Sequence, residues 1–323
     1  MENGYSKKYI IETGIGLQDV DKLKNSSYFL NESKRYIKGE ISLSELEEIV
    51  NSYYKNKPKE LEERAEEADK ISIRIAQIIE DDSFVFSLGQ LVSIHQRLFE
   101  GIYNHAGKFR SFNFSKKEWV LDGASVFYAD YRLLETTLRY DFDTEREYQY
   151  IGLSIDEIIT HLGTFIANIW QVHPFEEGNT RTTAVFFIKY LRSLGFTATN
   201  DSFAKNAWYF RNALVRANYR NIHKQVYEDK SFLTLFLRNL LLNESNPLHN
   251  RDLHINHVSK ESLPLREAMI IKLVQNNPSI KIDEIAKTLN VSPRTINIDI
   301  ASLVNKGLIE RVGSKKSGHW KIK

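Results

Sequence analysis

Cysteine is absent from the 323 residues, which removes disulfides and thiolate metal sites from consideration. No apolar signal-peptide core follows Met1 to Lys8, and no run of about 18 apolar residues occurs, so neither export nor a membrane span is expected. A reducing cytoplasm fits these absences. No internal repeat is found. What is present is ample apolar material: hydrophobic residues make up 42% and aromatics 12%, which argues against a disordered chain and supports two or three domains.

The net charge of +2 conceals an asymmetry. Pro264 to Lys323 holds eleven Lys/Arg against five Asp/Glu, a net of +6, leaving 33 against 37, a net of −4, on the rest. A basic C-terminal module on a mildly acidic body points to an anionic partner for that module alone.

Most of the chain reads as helix. Ser42 or Ser44 with an acidic residue three positions later forms a capping box, and so does Ser154 with Glu157. Lys57 to Lys70 reads as a solvated helix, and Ser83 to Phe99 carries apolar residues at helical spacing. Ile158, Ile159, Leu162, Phe165, Ile166 and Ile169 form one helical stripe. Arg181 to Leu194 is apolar nearly all round, which predicts a central buried helix with Gly195 as its C-terminal cap. Further helices are predicted around Ala204–Ala217 and Phe232–Leu242. Between Arg110 and Tyr128 the residues become β-prone around the turn dipeptide Asp122-Gly123, predicting a short β-hairpin. Asn243 to Pro264 is polar and aperiodic and reads as a linker.

The chemistry concentrates in His173-Pro174-Phe175-Glu176-Glu177-Gly178-Asn179-Thr180-Arg181, a loop between two apolar helices. A loop ending at a helix start aims free backbone N–H groups and the positive end of the helix dipole outward, a phosphate site. Arg181 adds a planar cation, and Glu177 can hold Mg²⁺ beside substrate phosphates. His173 is the nearby group suited to taking a proton near neutral pH. A lone His beside Pro is more often structural; the joint arrangement is what argues for function.

The loop resembles the signature of the Fic family, His-x-Phe-x-Asp/Glu-Gly-Asn-Gly-Arg-x-x-Arg. His173, Phe175, Glu177, Gly178, Asn179 and Arg181 match. Ile94-His95-Gln96-Arg97-Leu98-Phe99, Tyr103 and Ala106-Gly107-Lys108-Phe109-Arg110 resemble the segment before the family's flap, and Tyr209 to Leu214 the helix beside the nucleotide base; the resemblance spans roughly residues 60 to 245. It implies a protein adenylyltransferase: His173 deprotonates a target hydroxyl, which attacks the α-phosphate of a nucleotide, most simply ATP giving AMP. Gly178, Asn179, Thr180 and Arg181 would cradle phosphates, Tyr209 and Asn212 would border the nucleotide, Glu177 would hold Mg²⁺, and Phe175 would anchor the loop. A flap carrying Trp119, Val120, Leu121, Asp122 and Gly123 would pair with an extended segment of the target protein, or of the chain itself.

Two positions depart from the family's pattern: Thr180 replaces Gly, and Ala184 replaces the second Arg, which in the family contacts the γ-phosphate and an inhibitory Glu. No Ser/Thr-x-x-x-Glu-Gly/Asn segment occurs, so both halves of that clamp are missing and appreciable basal activity is expected. Removing residues 1 to about 55 should then change little, with Glu32, Glu40 and Glu48 the first acids to suspect otherwise. The departure also admits UTP or another phosphate donor.

Lys281 to Ile296 reads as a helix-turn-helix, with Ser292 as cap and Pro293 at the first helical position. Leu308–Val312 and His319–Ile322 flank a basic turn and complete a winged helix. Arg294, Thr295, Lys315 and Lys316 favour DNA as the partner, although such modules also serve docking or homodimer formation. The expected whole is mainly α: an N-terminal helical region over 1–60, a Fic-like core with a hairpin flap over 61–245, a linker over 246–263 and a winged helix over 264–323. The rival reading is a transcription regulator whose core only senses nucleotide.

Overall fold

The computed structural model describes residues 6–56, 63–198, 201–256, 265–289, 291–313 and 318–322. The chain divides into two compact units, Met1–Leu253 and His254–Lys323. No helix among the described residues is long and apolar enough to cross a membrane.

The larger unit is mainly helical. Its helices are α1 (Lys7–Gly16), α2 (Ser27–Ile37), α3 (Leu43–Lys55), α4 (Glu63–Glu80), α5 (Leu88–Phe99), α6 (Leu134–Glu147), α7 (Ile155–Val172), α8 (Asn179–Ser193), α9 (Ser202–Ala217) and α10 (Ser231–Leu242). Both capping boxes form: Ser42 with Glu45 opens α3, and Ser154 with Glu157 opens α7. α8 is the centre of the unit. Every residue from Asn179 to Leu191 is buried, as its unbroken apolar character predicts.

The N-terminal helix is part of this core. α1 packs against α4 and α9 so closely that a Cβ on Gly14 would lie 2.3 Å from the Ser72 carbonyl oxygen, and one on Gly16 the same distance from that of Ala204. Deleting residues 1 to 55 would therefore strip apolar faces from α4 and α9, so the expectation that the rate changes only modestly holds only if the core still folds without them. The segment read as a linker also begins on the unit. Asn250 accepts a hydrogen bond from Asn212, and Leu253 is fully buried.

The smaller unit consists of α11 (Leu265–Asn276), α12 (Ile282–Thr288), α13 (Pro293–Asn305) and a two-stranded antiparallel sheet, β1 (Ile309–Val312) and β2 (His319–Ile322), paired Ile309 to Ile322. Ser292 caps α13 by accepting the Thr295 N–H, with Pro293 in the first turn. Ile270, Val274, Ile285, Ile296, Leu303 and Trp320 form its core. The wing tip at Lys315 and Lys316 lies outside the described residues.

Candidate functional site

α7 stops where His173 takes a left-handed conformation, φ 51°, followed by Pro174. α8 starts at Gly178, φ 74°, whose missing Cβ makes room for the Phe99 ring; an added Cβ would sit 2.3 Å from it. Thr180 lies inside the first turn of α8, so the position that resembles a glycine site carries no left-handed backbone here.

Between these ends the loop is held by its own side chains. The Asn179 Oδ1 accepts the Phe175 N–H at 2.9 Å, and its Nδ2 donates to the Phe175 carbonyl at 2.7 Å. Trp170 donates its indole N–H to the Thr180 hydroxyl at 2.9 Å. Phe175 stacks on His95 with ring centroids 3.7 Å apart. His95 Nδ1 accepts the Gly107 N–H at 2.8 Å, which leaves the proton on Nε2 to donate to the Glu177 carbonyl at 3.1 Å. Burial pushes the His95 pKa down to about 4, so it stays neutral in this role. The side chains of Asn179 and Thr180 are thus spent on the loop. The first turn of α8 is buried and has no side-chain cap, so its leading N–H groups are not taken up by a capping side chain.

His173 is 3% exposed. Its Nδ1 lies 3.2 Å from the Trp170 carbonyl, which fixes the proton there and leaves Nε2 as a lone pair without a hydrogen-bond partner. Burial, reinforced by the Lys116 ammonium and partly offset by the Trp170 hydrogen bond, holds its pKa well below 6.5. The imidazole is neutral at pH 7. Tyr128 stacks on it at 4.1 Å, and Phe114 and Trp170 meet it edge-on.

Arg181 is also buried, and its guanidinium is held by other side chains. It pairs with Asp21 Oδ2 and Glu67 Oε1, each at 2.9 Å, reaches Gln18 and the Tyr103 hydroxyl, and lies 4.9 Å from the Phe99 ring centre. The cation that the sequence assigns to phosphate is thus met by two carboxylates. The acids that meet it are therefore neither Glu32 and Glu40, which pair with Arg35, nor Glu48. No local signal marks its partners, which stand 78 to 163 residues upstream.

On the outer face, Glu177 is half exposed and pairs with Lys116 at 3.2 Å. Lys116 belongs to the segment predicted as a hairpin. Its two arms are extended but form no β-ladder. Glu118 donates its N–H to the Ala124 carbonyl, and a short 3₁₀ turn over Trp119–Leu121 replaces the tight hairpin turn. The reason is burial: Val120 and Leu121 turn into the core against α9 and residues 250–253, while Trp119, Asp122 and Gly123 remain exposed. Arg110 staples both arms to the loop, donating to the carbonyls of Phe112, Ala129 and His173. Residues 124–128, Phe114 and Tyr219 to Asn221 line a groove of about 620 Å³.

Tyr209 and Asn212 are buried in the packing of α9, with the Tyr209 hydroxyl donating to the Phe232 carbonyl and the Asn212 amide to Asn250. The side chain between them that reaches the flap is Arg211, paired with buried Glu118 through both carboxylate oxygens at 2.6 and 3.0 Å. In the smaller unit, Arg294 is exposed on α13, whereas the Thr295 hydroxyl is engaged with Ser292 at 2.9 Å.

Comparison with known proteins follows the same division. Residues 85–191 match the Fic/DOC family, and residues 266–313 match the DeoR-like helix-turn-helix domain. The chain is similar to the protein adenylyltransferase VbhT of Bartonella schoenbuchensis, with 26% identity over 177 residues, 54% of this chain and 35% of that protein. It thus spans about a third of the length of that relative. It is also similar to the crystal structure of a Fic family protein from Desulfovibrio desulfuricans G20, at 12% identity and a TM-score of 0.42, over 98% of this chain and 87% of that one.

Proposed function

For this chain, which carries a Fic domain and a DeoR-like helix-turn-helix domain, we propose that the larger unit transfers a nucleoside monophosphate, AMP from ATP in the simplest case, to a hydroxyl of a target protein or of the chain itself. The observation that carries this reading is His173: a buried, neutral imidazole whose Nε2 has no partner, beside the uncapped start of α8. His95, by contrast, has both ring nitrogens engaged in holding the loop.

In the proposed step the Nε2 lone pair takes the proton of a serine, threonine or tyrosine hydroxyl. The hydroxyl oxygen bonds to the α-phosphorus. The bond from that phosphorus to the bridging oxygen breaks, and pyrophosphate leaves with that electron pair. The N–H groups opening α8 stabilise the charge that develops on the phosphate oxygens. Because His173 lies beneath Tyr128, the arm over 124–128 must shift for a target to enter, and the adjoining groove is where an extended target segment would lie. Glu177 suits Mg²⁺ because it is a half-exposed carboxylate on the loop, next to the start of α8. Mg²⁺ is commonly held by one carboxylate plus substrate phosphates, where it neutralises charge on the donor.

A second reading, a donor other than ATP, is favoured by the occupied state of Arg181 and by Ala184, which leave α8 no free cation for the distal phosphate of a triphosphate. Incubation of the full chain with α-labelled ATP, UTP, GTP or CTP and Mg²⁺, followed by intact mass, tests both. A mass gain of one nucleoside monophosphate identifies the reaction and the nucleotide. No gain with any nucleotide, on the chain or in added protein extract, removes the proposal. For the smaller unit the proposed partner is duplex DNA, supported by the net +6 of residues 264 to 323 and by Arg294, Lys315 and Lys316.

A further inference from the structure

α13 has two faces. Ile296, Asp299, Ile300 and Leu303 are buried in the smaller unit's core or its ion pairs. Arg294, Ile298, Ala301 and Asn305 are exposed at spacings of four, three and four residues, so they form one outward stripe. The composition of that stripe is unusual for a solvated helix face. Ile298 is 63% exposed, and the next position along the stripe is Ala301. Arg294, one turn earlier, has no ion pair or hydrogen-bond partner among the described residues.

The two polar neighbours in the first turns are not available to read a base edge. The Thr295 hydroxyl is engaged with Ser292, and the Asn297 amide donates back to the Pro293 carbonyl at 2.9 Å. This leaves one forked cation followed by two apolar groups along the helix. In the major groove the O6 and N7 of guanine accept a bidentate arginine, and the thymine C5-methyl is the one apolar group a base pair presents. Consecutive stripe residues are separated by about 4.5–6 Å along the helix, comparable to one or two base-pair steps of about 3.4 Å.

We propose that α13 reads duplex DNA directly, with Arg294 on a guanine and Ile298 and Ala301 on the methyl groups of thymines one to three steps away. This rests on the reading of the smaller unit as DNA-binding. It adds which residues specify sequence and which chemical group of the base they recognise. The net charge of +6 over residues 264 to 323 supports duplex DNA over a second copy of the chain as the occupant, since two such faces would repel.

The test selects bound duplexes from a randomised pool with the full chain, then replaces each selected thymine by deoxyuridine, which removes only the methyl group. Loss of one methyl contact should weaken binding about fourfold, the worth of one buried CH₂-sized group. Ile298→Ala keeps the helix, because the position is exposed and Ala is a good helix former. In that variant the same deoxyuridine should bind as well as thymine. Arg294→Ala should relax preference at the guanine by about 5- to 150-fold, the range for one mismatched base pair. Persistence of the thymine preference in Ile298→Ala overturns the proposal, as does a selected site insensitive to every deoxyuridine. Chain dimerisation that disappears in Ile298→Ala assigns the stripe to self-association and also overturns it. Absence of any DNA binding at low salt defeats the DNA-binding reading itself, an outcome distinct from sequence-independent binding, which defeats only the readout.

Discussion

At one end of the loop Arg181 is buried and surrounded by Asp21, Glu67, Gln18 and Tyr103; at the other, His173 is as deeply buried and keeps an Nε2 without a partner. Burial alone therefore does not separate the structural from the chemical residues. What separates them is the number of partners: Arg181 meets two carboxylates, an amide oxygen and a hydroxyl, whereas the His173 ring has one hydrogen-bond partner, the Trp170 carbonyl. Leaving a buried polar atom without a partner costs about 1–3 kcal/mol. Arg181 ties the start of α8 to Gln18, Asp21 and Glu67, and the Asn179 amide closes the loop on Phe175. The proposed chemistry falls to His173, Glu177 and the opening N–H groups of α8.

The largest expected effect breaks this comparison at its chemical end. His173→Ala should lower transfer about 10²- to 10⁴-fold, the usual worth of a general base. Nucleotide binding, read by calorimetry, should stay close to that of the parent chain, because the α8 N–H groups are untouched. Undiminished transfer in the variant would remove the mechanism.

At the other end, Arg181→Ala removes one partner of a buried ionic cluster and strands Asp21 and Glu67. Breaking such a cluster costs about 3–5 kcal/mol, to be read from the midpoint of urea unfolding. If Arg181 instead served only to bind phosphate, the midpoint would hardly move and nucleotide affinity alone would fall.

Sequence reading fared differently at the two ends for a physical reason. The loop from His173 to Arg181 and the start of a helix at its end were legible because a base, a carboxylate and a glycine fall within a few residues, and local structure is written in local spacing. The capping boxes of Ser42 and Ser154 and the buried character of α8 were legible on the same ground. The protein partners of Arg181 were not legible, because Gln18, Asp21 and Glu67 lie far upstream and nothing near Arg181 announces them. The hairpin was misread because β-prone residues Val120 and Leu121 were needed in the core, which pulled the turn into 3₁₀ geometry. Ala184, which stands where the family's pattern has its second Arg, is fully buried on α8, so an arginine there would meet packed side chains first.

The next effect sharpens the comparison through pH. Both His173 and His95 are held neutral by burial, with pKa values below 6.5, that of His95 at about 4. Below pH 6.5 the unfolded chain binds protons at these two positions that the folded chain refuses. Their contribution to stability is therefore full above about pH 6.5 and falls as pH drops, by up to about 1.4 kcal/mol per pH unit for each histidine. For His95 the fall levels off near pH 4. His95→Gln keeps a donor for the Glu177 carbonyl and should make the decline between pH 6 and pH 4 shallower by one proton. An unchanged slope in that variant would show that His95 is not titrating there.

The smallest effect concerns the outer pair, Lys116 with Glu177. Its N–O distance of 3.2 Å is close to the 2.9 Å of the Arg181 pairs, yet Glu177 is half exposed and Lys116 partly so. Water already solvates both charges, so the pair gains little over its separated members, about 0–1 kcal/mol. Lys116→Ala should thus leave the unfolding midpoint nearly in place. It should raise the His173 pKa, because the ammonium is second only to burial among the causes that lower it. An imidazole titration followed by NMR reads that shift directly, and it should shrink further as salt screens the charge. A loss of stability comparable to that of Arg181→Ala would mean that Lys116 is a structural clamp on the flap. The contrast between a many-partnered Arg181 and a sparsely partnered His173 would then have to be redrawn, with the flap arm counted among the fastened parts.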